Sequence, residues 1–209
     1  MSGRIRLLVS DVDGTIVRSD KTLAPGTLAA AARLREAGVA LALVSARPPR
    51  GMRWIAEALG LATPLAGFNG GMVTEADGTL IANLPIPEGV VRQALDVFVR
   101  AGVQPWLFSA LDWLVLDPAG HYVAHERHTI RFDERVVSNF GPYLDRADKL
   151  VGVSPDFDHL ARVEAELQTL VGERASVHRS QPYYLDVTHP DANKGDAKAE
   201  ERFKEISEA

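Results

Sequence analysis

The 209-residue chain has no cysteine. That absence excludes a disulfide framework, a thiolate nucleophile and a Cys-ligated zinc or iron–sulfur centre, and leaves carboxylates, hydroxyls, His and Lys to do any chemistry. Long apolar runs are missing as well. No stretch approaches the ~20 apolar residues of a membrane span, and the apolar start from Ile5 to Val9 is broken by Arg6 and too short for a signal-peptide core. Nor is there an excess of positive charge. With 23 Lys+Arg against 28 Asp+Glu, the formal charge is −5, so neither nucleic acid nor an anionic membrane is an expected partner, and any anion site is local. The expected location is the cytoplasm, whose reducing conditions suit a chain without cysteine.

What is present begins with alternation. Ile5 to Ser10, an Ala/Leu/Arg-rich stretch from Gly26 to Gly38, and Val39 to Val44 read as strand, helix and strand, the grammar of a parallel sheet covered on both faces. Pro48 and Pro49 open a second helix, with Met52, Ile55, Ala56 and Leu59 at helical spacing before Gly60. Pro64 to Phe68 reads as a third strand, and Met72 to Leu84 as a hairpin turning at Asp77-Gly78.

From Pro87 the pattern changes. A helix runs to Gly102 with Val90, Val91, Leu95 and Val99 as its expected buried stripe, and strands follow at Gln104 to Ser109, Trp113 to Asp117 and Lys149 to Ser154. A helix from Phe157 to Val171 and strands at Ala175 to Ser180 and Tyr183 to Val187 complete this part. The expected fold class is α/β: a Rossmann-like parallel-sheet core, residues 1–83 and 187–209, with an α+β domain, residues 84–186, inserted into it. Within the insert, Trp106, Phe108 and Trp113 alternate along strands, as core or as the roof of a substrate site. His121, His125 and His128 fall at i, i+4 and i+7 of a candidate helix, a spacing open to zinc or to a plain polar face.

Asp11-Val12-Asp13-Gly14-Thr15 carries the strongest chemical signal, because it follows the first apolar strand, and the carboxyl ends of parallel strands are where ligands bind. Side chains at i and i+2 of an extended segment point the same way, so Asp11 and Asp13 can address one reacting centre. Two carboxylates would repel a phosphate. A hard cation resolves the repulsion, and oxygen ligands select Mg²⁺. A carboxylate can attack phosphorus to form an acyl phosphate while a neighbouring acid protonates the leaving oxygen and later deprotonates water.

These residues resemble the first motif of the haloacid dehalogenase superfamily of aspartate-nucleophile phosphatases. Leu41-Ala-Leu-Val-Ser45 is similar to the second motif, with Ala46-Arg47-Pro48 resembling the Gly-Arg-Pro that often follows. Phe68-Asn69-Gly70-Gly71-Met72 resembles a stretch of the Cof-type branch, whose α+β cap is inserted after the third strand, and Asn193-Lys194-Gly195 resembles the third motif. The resemblance implies Asp11 as nucleophile and Mg²⁺ ligand, and Asp13 as general acid/base that gives its backbone carbonyl to the metal. It implies Ser45 and Lys194 as the phosphate-binding pair, with Arg47 and Asn69 as candidate substrate contacts.

The family's fourth motif, a Gly-Asp and a further acid after the Lys-bearing helix, is not found. Gly195-Asp196 follows Lys194 at once with no strand before it, and Glu200, Glu201 and Glu205 belong to a helical stretch. The core is therefore expected to break off early, as in a C-terminally shortened form, leaving a sheet edge open to self-association. The expected function is Mg²⁺-dependent hydrolysis of a small phosphorylated metabolite through an aspartyl-phosphate. The alternatives are a sugar phosphomutase or sugar-phosphate phosphatase of a related branch, and a catalytically impaired phosphate-ester binder lacking the last metal acid.

Overall fold

A computed structural model describes residues 5–194. Gly195-Asp196, the last helical stretch with Glu200, Glu201 and Glu205, and the 195–209 part of the expected core lie outside the described residues. The chain divides into two compact units, residues 1–82 with 193–209, and residues 83–192.

In the first unit β1 (Leu7–Asp11) pairs in parallel with β2 (Ala40–Val44), from Leu7 opposite Ala40 to Asp11 opposite Val44. β2 pairs in parallel with β3 (Leu65–Gly67), β4 (Met72–Thr74) runs antiparallel to β3, and β5 (Leu80–Asn83) completes the order β1-β2-β3-β4-β5. Helix α1 (Pro25–Glu36) makes the crossover from β1 to β2, and a 3₁₀ turn at Pro49–Met52 runs into α2 (Arg53–Leu59) before β3. The period of two in β2 explains the layering. Leu41 and Leu43 join Met52, Ile55 and Leu59 in one apolar cluster, while Ala42 and Val44 join Ala66 and Val73 in another. Gly60 ends α2 at φ +66°, a left-handed cap that glycine takes without strain.

Gly67 allows the end of β3 to meet the turn that opens α2. A Cβ there would sit 2.3 Å from Pro49 Cδ and 2.7 Å from its backbone nitrogen, a clash that a rigid ring cannot relieve by rotamer change. Gly67→Ala is expected to destabilise the protein by about 1–3 kcal/mol. The midpoint of urea unfolding reads this directly, and an unchanged midpoint would show that the turn gives way freely.

The second unit is a six-stranded sheet of order β10-β11-β9-β6-β7-β8. Its strands are β6 (Gln104–Ser109), β7 (Asp112–Val115), β8 (Arg135–Val136), β9 (Ala147–Val153), β10 (Ser176–Gln181) and β11 (Tyr184–Thr188). Leu107, Leu114, Leu150, Leu185 and Val187 line one face and join a core with α3 (Glu88–Ala101) and α5 (Phe157–Val171). The opposite face carries Trp106, Phe108 and Trp113, all buried, with the Trp113 ring in contact with each of the other two, and Lys149 bridged to Asp186 at 2.6 Å.

Two readings of this unit change. Val99, expected in the buried stripe of α3, is 71% exposed, because Val90, Ala94, Val97 and Phe98 define the inward face and leave Val99 on the far side of the wheel. The unit also runs on past Asp186 to Ala192, since Val187 and Thr188 pair with Val177 and Ser176 of β10. His125 and His128 lie on α4 (Val123–Ile130), but Tyr122 at φ +61° interrupts the helix before His121. Among the described residues no group of three or more His, Cys, Asp or Glu stands ready to hold a metal, and no helix is long and apolar enough to cross a membrane.

Candidate active site

Parallel pairing gathers the site at one end of the first unit's sheet. Asp11 ends β1 opposite Val44, and Ser45 follows Val44 directly, so the two residues leave adjacent strand ends. The loops beyond are laced together by backbone bonds. Ser45 N–H donates to Ala66 O at 2.9 Å, Asn69 N–H to Ser45 O at 2.8 Å, and Phe68 N–H to Arg47 O at 2.9 Å. The Arg47 amide also donates to Ser45 Oγ at 3.2 Å, which fixes the hydroxyl oxygen and leaves its hydrogen to a ligand. Asn69 adopts φ +60°, a left-handed conformation that a short amide side chain tolerates, so the backbone alone gives one reason for Asn here.

Immediately after Asp11 the chain folds back. Val12 is buried, and its carbonyl accepts the amides of Thr15, Ile16 and Val17 at 3.3, 3.0 and 2.9 Å, while Gly14 makes the exit at φ +78°. This turn presents Asp13 to two cations. Arg47 Nε donates to Oδ2 at 2.7 Å and Nη2 to Oδ1 at 2.7 Å, a two-pronged pair, and Lys21 Nζ reaches Oδ1 at 2.9 Å. Burial pushes the Asp13 carboxyl up, but the hydrogen bonds and charges of Arg47 and Lys21 outweigh it and bring its pKa down to about 2. Asp13 is therefore ionised at neutral pH. Lys194 Nζ lies 2.8 Å from Asp11 Oδ1 and supplies that carboxylate with a counter-charge.

The six residues selected from the sequence, Asp11, Asp13, Ser45, Arg47, Asn69 and Lys194, thus all belong to the first unit. Direct contacts join Asp11 to Lys194, Asp13 to Arg47, and Ser45 to Arg47 and Asn69. Arg47 turns its Nε and Nη2 to Asp13. Lys21 was missed by sequence reasoning, because no periodicity marks it; the only local hint is the polar Arg18-Ser-Asp-Lys21 stretch, which suits a reversing turn.

The donor set can be tested against magnesium. The Asp13 carboxylate is taken by cations, which leaves its backbone carbonyl and the Asp11 carboxylate, 40% exposed and already meeting an ammonium at Oδ1. Magnesium is characteristically held by one or two carboxylates together with waters and substrate phosphate, so these residues fit it.

Comparison with known proteins places these observations among relatives. Residues 8–200 match the profile of a family described as haloacid dehalogenase-like hydrolase. A 5-amino-6-(5-phospho-D-ribitylamino)uracil phosphatase of Bacillus subtilis is 30% identical over 126 residues, 59% of this chain and 44% of the relative. An HMP-PP phosphatase of Escherichia fergusonii is 29% identical over 199 residues, covering 92% of this chain and 70% of the relative. Among solved structures, a haloacid dehalogenase-like hydrolase from Bacteroides thetaiotaomicron superposes with a TM-score of 0.83 at 23% identity, over 91% of this chain and 73% of that one. The chain thus spans less than half of the first relative's length and about three quarters of the solved structure's.

Proposed function

We propose that this chain, which belongs to the haloacid dehalogenase-like hydrolases, hydrolyses phosphomonoesters of small metabolites through an aspartyl-phosphate, with magnesium as cofactor. The observation that carries the reading is the Asp11 carboxylate at a strand end with the Lys194 ammonium 2.8 Å from its Oδ1, beside the Ser45 strand end. Asp11 is a carboxylate nucleophile. It attacks phosphorus, an Asp11 O–P bond forms, and the P–O bond to the metabolite breaks as the leaving oxygen takes, by way of Asp13, the proton that the ester brings as its monoanion. Water then attacks the acyl phosphate, Asp13 takes its proton and passes it to the departing phosphate, and both carboxylates are restored. The Ser45 hydroxyl and the Lys194 ammonium hold the transferring phosphoryl oxygens. The Asp11 carboxylate and the Asp13 carbonyl would hold magnesium, which would offset the negative charge of nucleophile and phosphate.

In the ligand-free arrangement the bonds from Arg47 and Lys21 hold Asp13 in its base form, ready to take the proton of the attacking water in the second step. The two relatives, a phosphoribitylaminouracil phosphatase and an HMP-PP phosphatase, support small phosphorylated metabolites as the substrate class. The test is phosphate release from p-nitrophenyl phosphate and a panel of sugar and nucleotide-precursor phosphates. Release is expected with magnesium, to stop with a chelator and to return on adding magnesium back. Absence of release above an Asp11→Asn control overturns the hydrolase reading, and retained ester binding would then favour the non-catalytic binder.

Self-association belongs to the same proposal. Among the described residues β1 is a sheet edge, with Leu8 and Val9 each 44% exposed and neither proline nor charge between Leu7 and Ser10 to blunt it. Sedimentation is expected to show a concentration-dependent dimer that Leu8→Lys weakens; a monomer at every concentration removes this part.

A further inference from the structure

Lys21 reaches Asp13 from a turn that exists to send it there. Asp20 Oδ1 accepts both the Thr22 amide at 3.0 Å and the Thr22 hydroxyl at 2.6 Å, the Lys21 amide donates to Arg18 O at 3.0 Å, and the Arg18 amide to Thr22 O at 3.0 Å. Bridges from Val17 to Leu23 and from Asp13 to Val17 return the loop to the strand end. At its tip Lys21 sits at φ +61°, a left-handed conformation unfavourable for a long side chain and held only where its surroundings impose it. A lysine that merely decorated the surface would need neither the strain nor the scaffold.

The acceptor count at Asp13 says what the contact achieves. A carboxylate offers about four acceptor sites on its two oxygens. Arg47 takes one on Oδ1 and one on Oδ2, and Lys21 takes a second on Oδ1. Arg47 alone treats the two oxygens alike. Lys21 breaks that symmetry, and the remaining site is on Oδ2.

We propose that Lys21 is a positioning residue for phosphate-ester hydrolysis, holding Oδ1 of Asp13 so that Oδ2 is the oxygen presented to the reactants. The inference rests on the hydrolase reading above and adds to it a residue that acts through its bond to Asp13. Lys21→Met is expected to lower kcat by about tenfold to a hundredfold with KM changed less than about twofold, since a misoriented acid/base slows chemistry without weakening ground-state binding. Lys21→Arg, which keeps a donor of the same charge, is expected to recover most of kcat. In an Asp13→Asn background Lys21→Met is expected to cost nothing further, because the acid/base group that Lys21 orients is gone. The assays use the full chain at saturating magnesium, with thermal melts to confirm that each variant is folded. Wild-type turnover with Lys21→Met at the same kcat overturns this proposal alone, as does an equal loss from Lys21→Met in the Asp13→Asn background. A wild-type chain without turnover overturns the hydrolase reading and this one with it.

Discussion

Replacing Asp11 by Asn is expected to lower phosphate release by about four orders of magnitude or more, while leaving the fold in place. The amide keeps the shape and hydrogen-bonding reach of the carboxylate but not its nucleophilicity, so the O–P bond on which both steps depend cannot form. The fold should not register the change. Asp11 is the last residue of β1, its backbone register with Val44 does not involve the side chain, and its side chain is partly exposed. An acid quench after brief exposure to an ester labelled in its phosphoryl group should leave label on the wild-type protein and none on the variant. Lys194 gives a second readout. With its carboxylate partner neutralised, the ammonium is released to an external anion, so the variant should bind inorganic phosphate at least as tightly as the parent. Residual turnover within tenfold of wild type would assign the nucleophile elsewhere.

Elements with strong local patterning were legible in the sequence, and contacts that depend on the returning path of a loop were not. Gln104–Ser109 and Phe157–Val171 form at the residues that their alternation and helical spacing indicate, because each has an unbroken apolar face and a clear stop. The carboxylates were legible for a related reason: Asp11-Val-Asp13-Gly-Thr15 follows a strand whose end in a parallel sheet is a ligand position. Val99 fails because apolar character alone does not choose between the faces of a helix, and the inward one is set by Val90, Ala94, Val97 and Phe98. The contacts of Arg47 and Lys21 with Asp13 were hidden for a different reason. Arg47 is 34 residues away and Lys21 is 8 away, and neither separation has a period that would announce a contact. Only the β1–β2 register and the Asp20–Thr22 turn bring them to one carboxylate.

The acid that sequence analysis passed over in the inserted domain should have the largest effect on stability. Asp148 lies in β9 and is 2% exposed; Asn83 Nδ2 donates to its Oδ1 at 2.7 Å, while its Oδ2 and Asn83 Oδ1 have no hydrogen-bond partner. Burial pushes its pKa up from 3.8 to about 7, against the smaller opposing pull of the Asn83 side chain and the Ala110 amide. A carboxyl with a higher pKa folded than unfolded takes up a proton on folding. Its contribution is therefore complete below about pH 3.8, declines as pH rises toward 7, and is gone above the folded value, a change of about 4 kcal/mol across that window. Asp148→Asn is neutral at every pH, and its amide can both accept from Asn83 Nδ2 and donate to Asn83 Oδ1, so it satisfies both orphaned atoms at once. The variant should match wild type near pH 4 and exceed it at pH 8 by a few kcal/mol, measured as urea midpoints at unchanged slope. A wild-type stability that is flat from pH 4 to 8, or a variant with no advantage at pH 8, would show that Asp148 ionises in the folded protein as readily as in the unfolded chain.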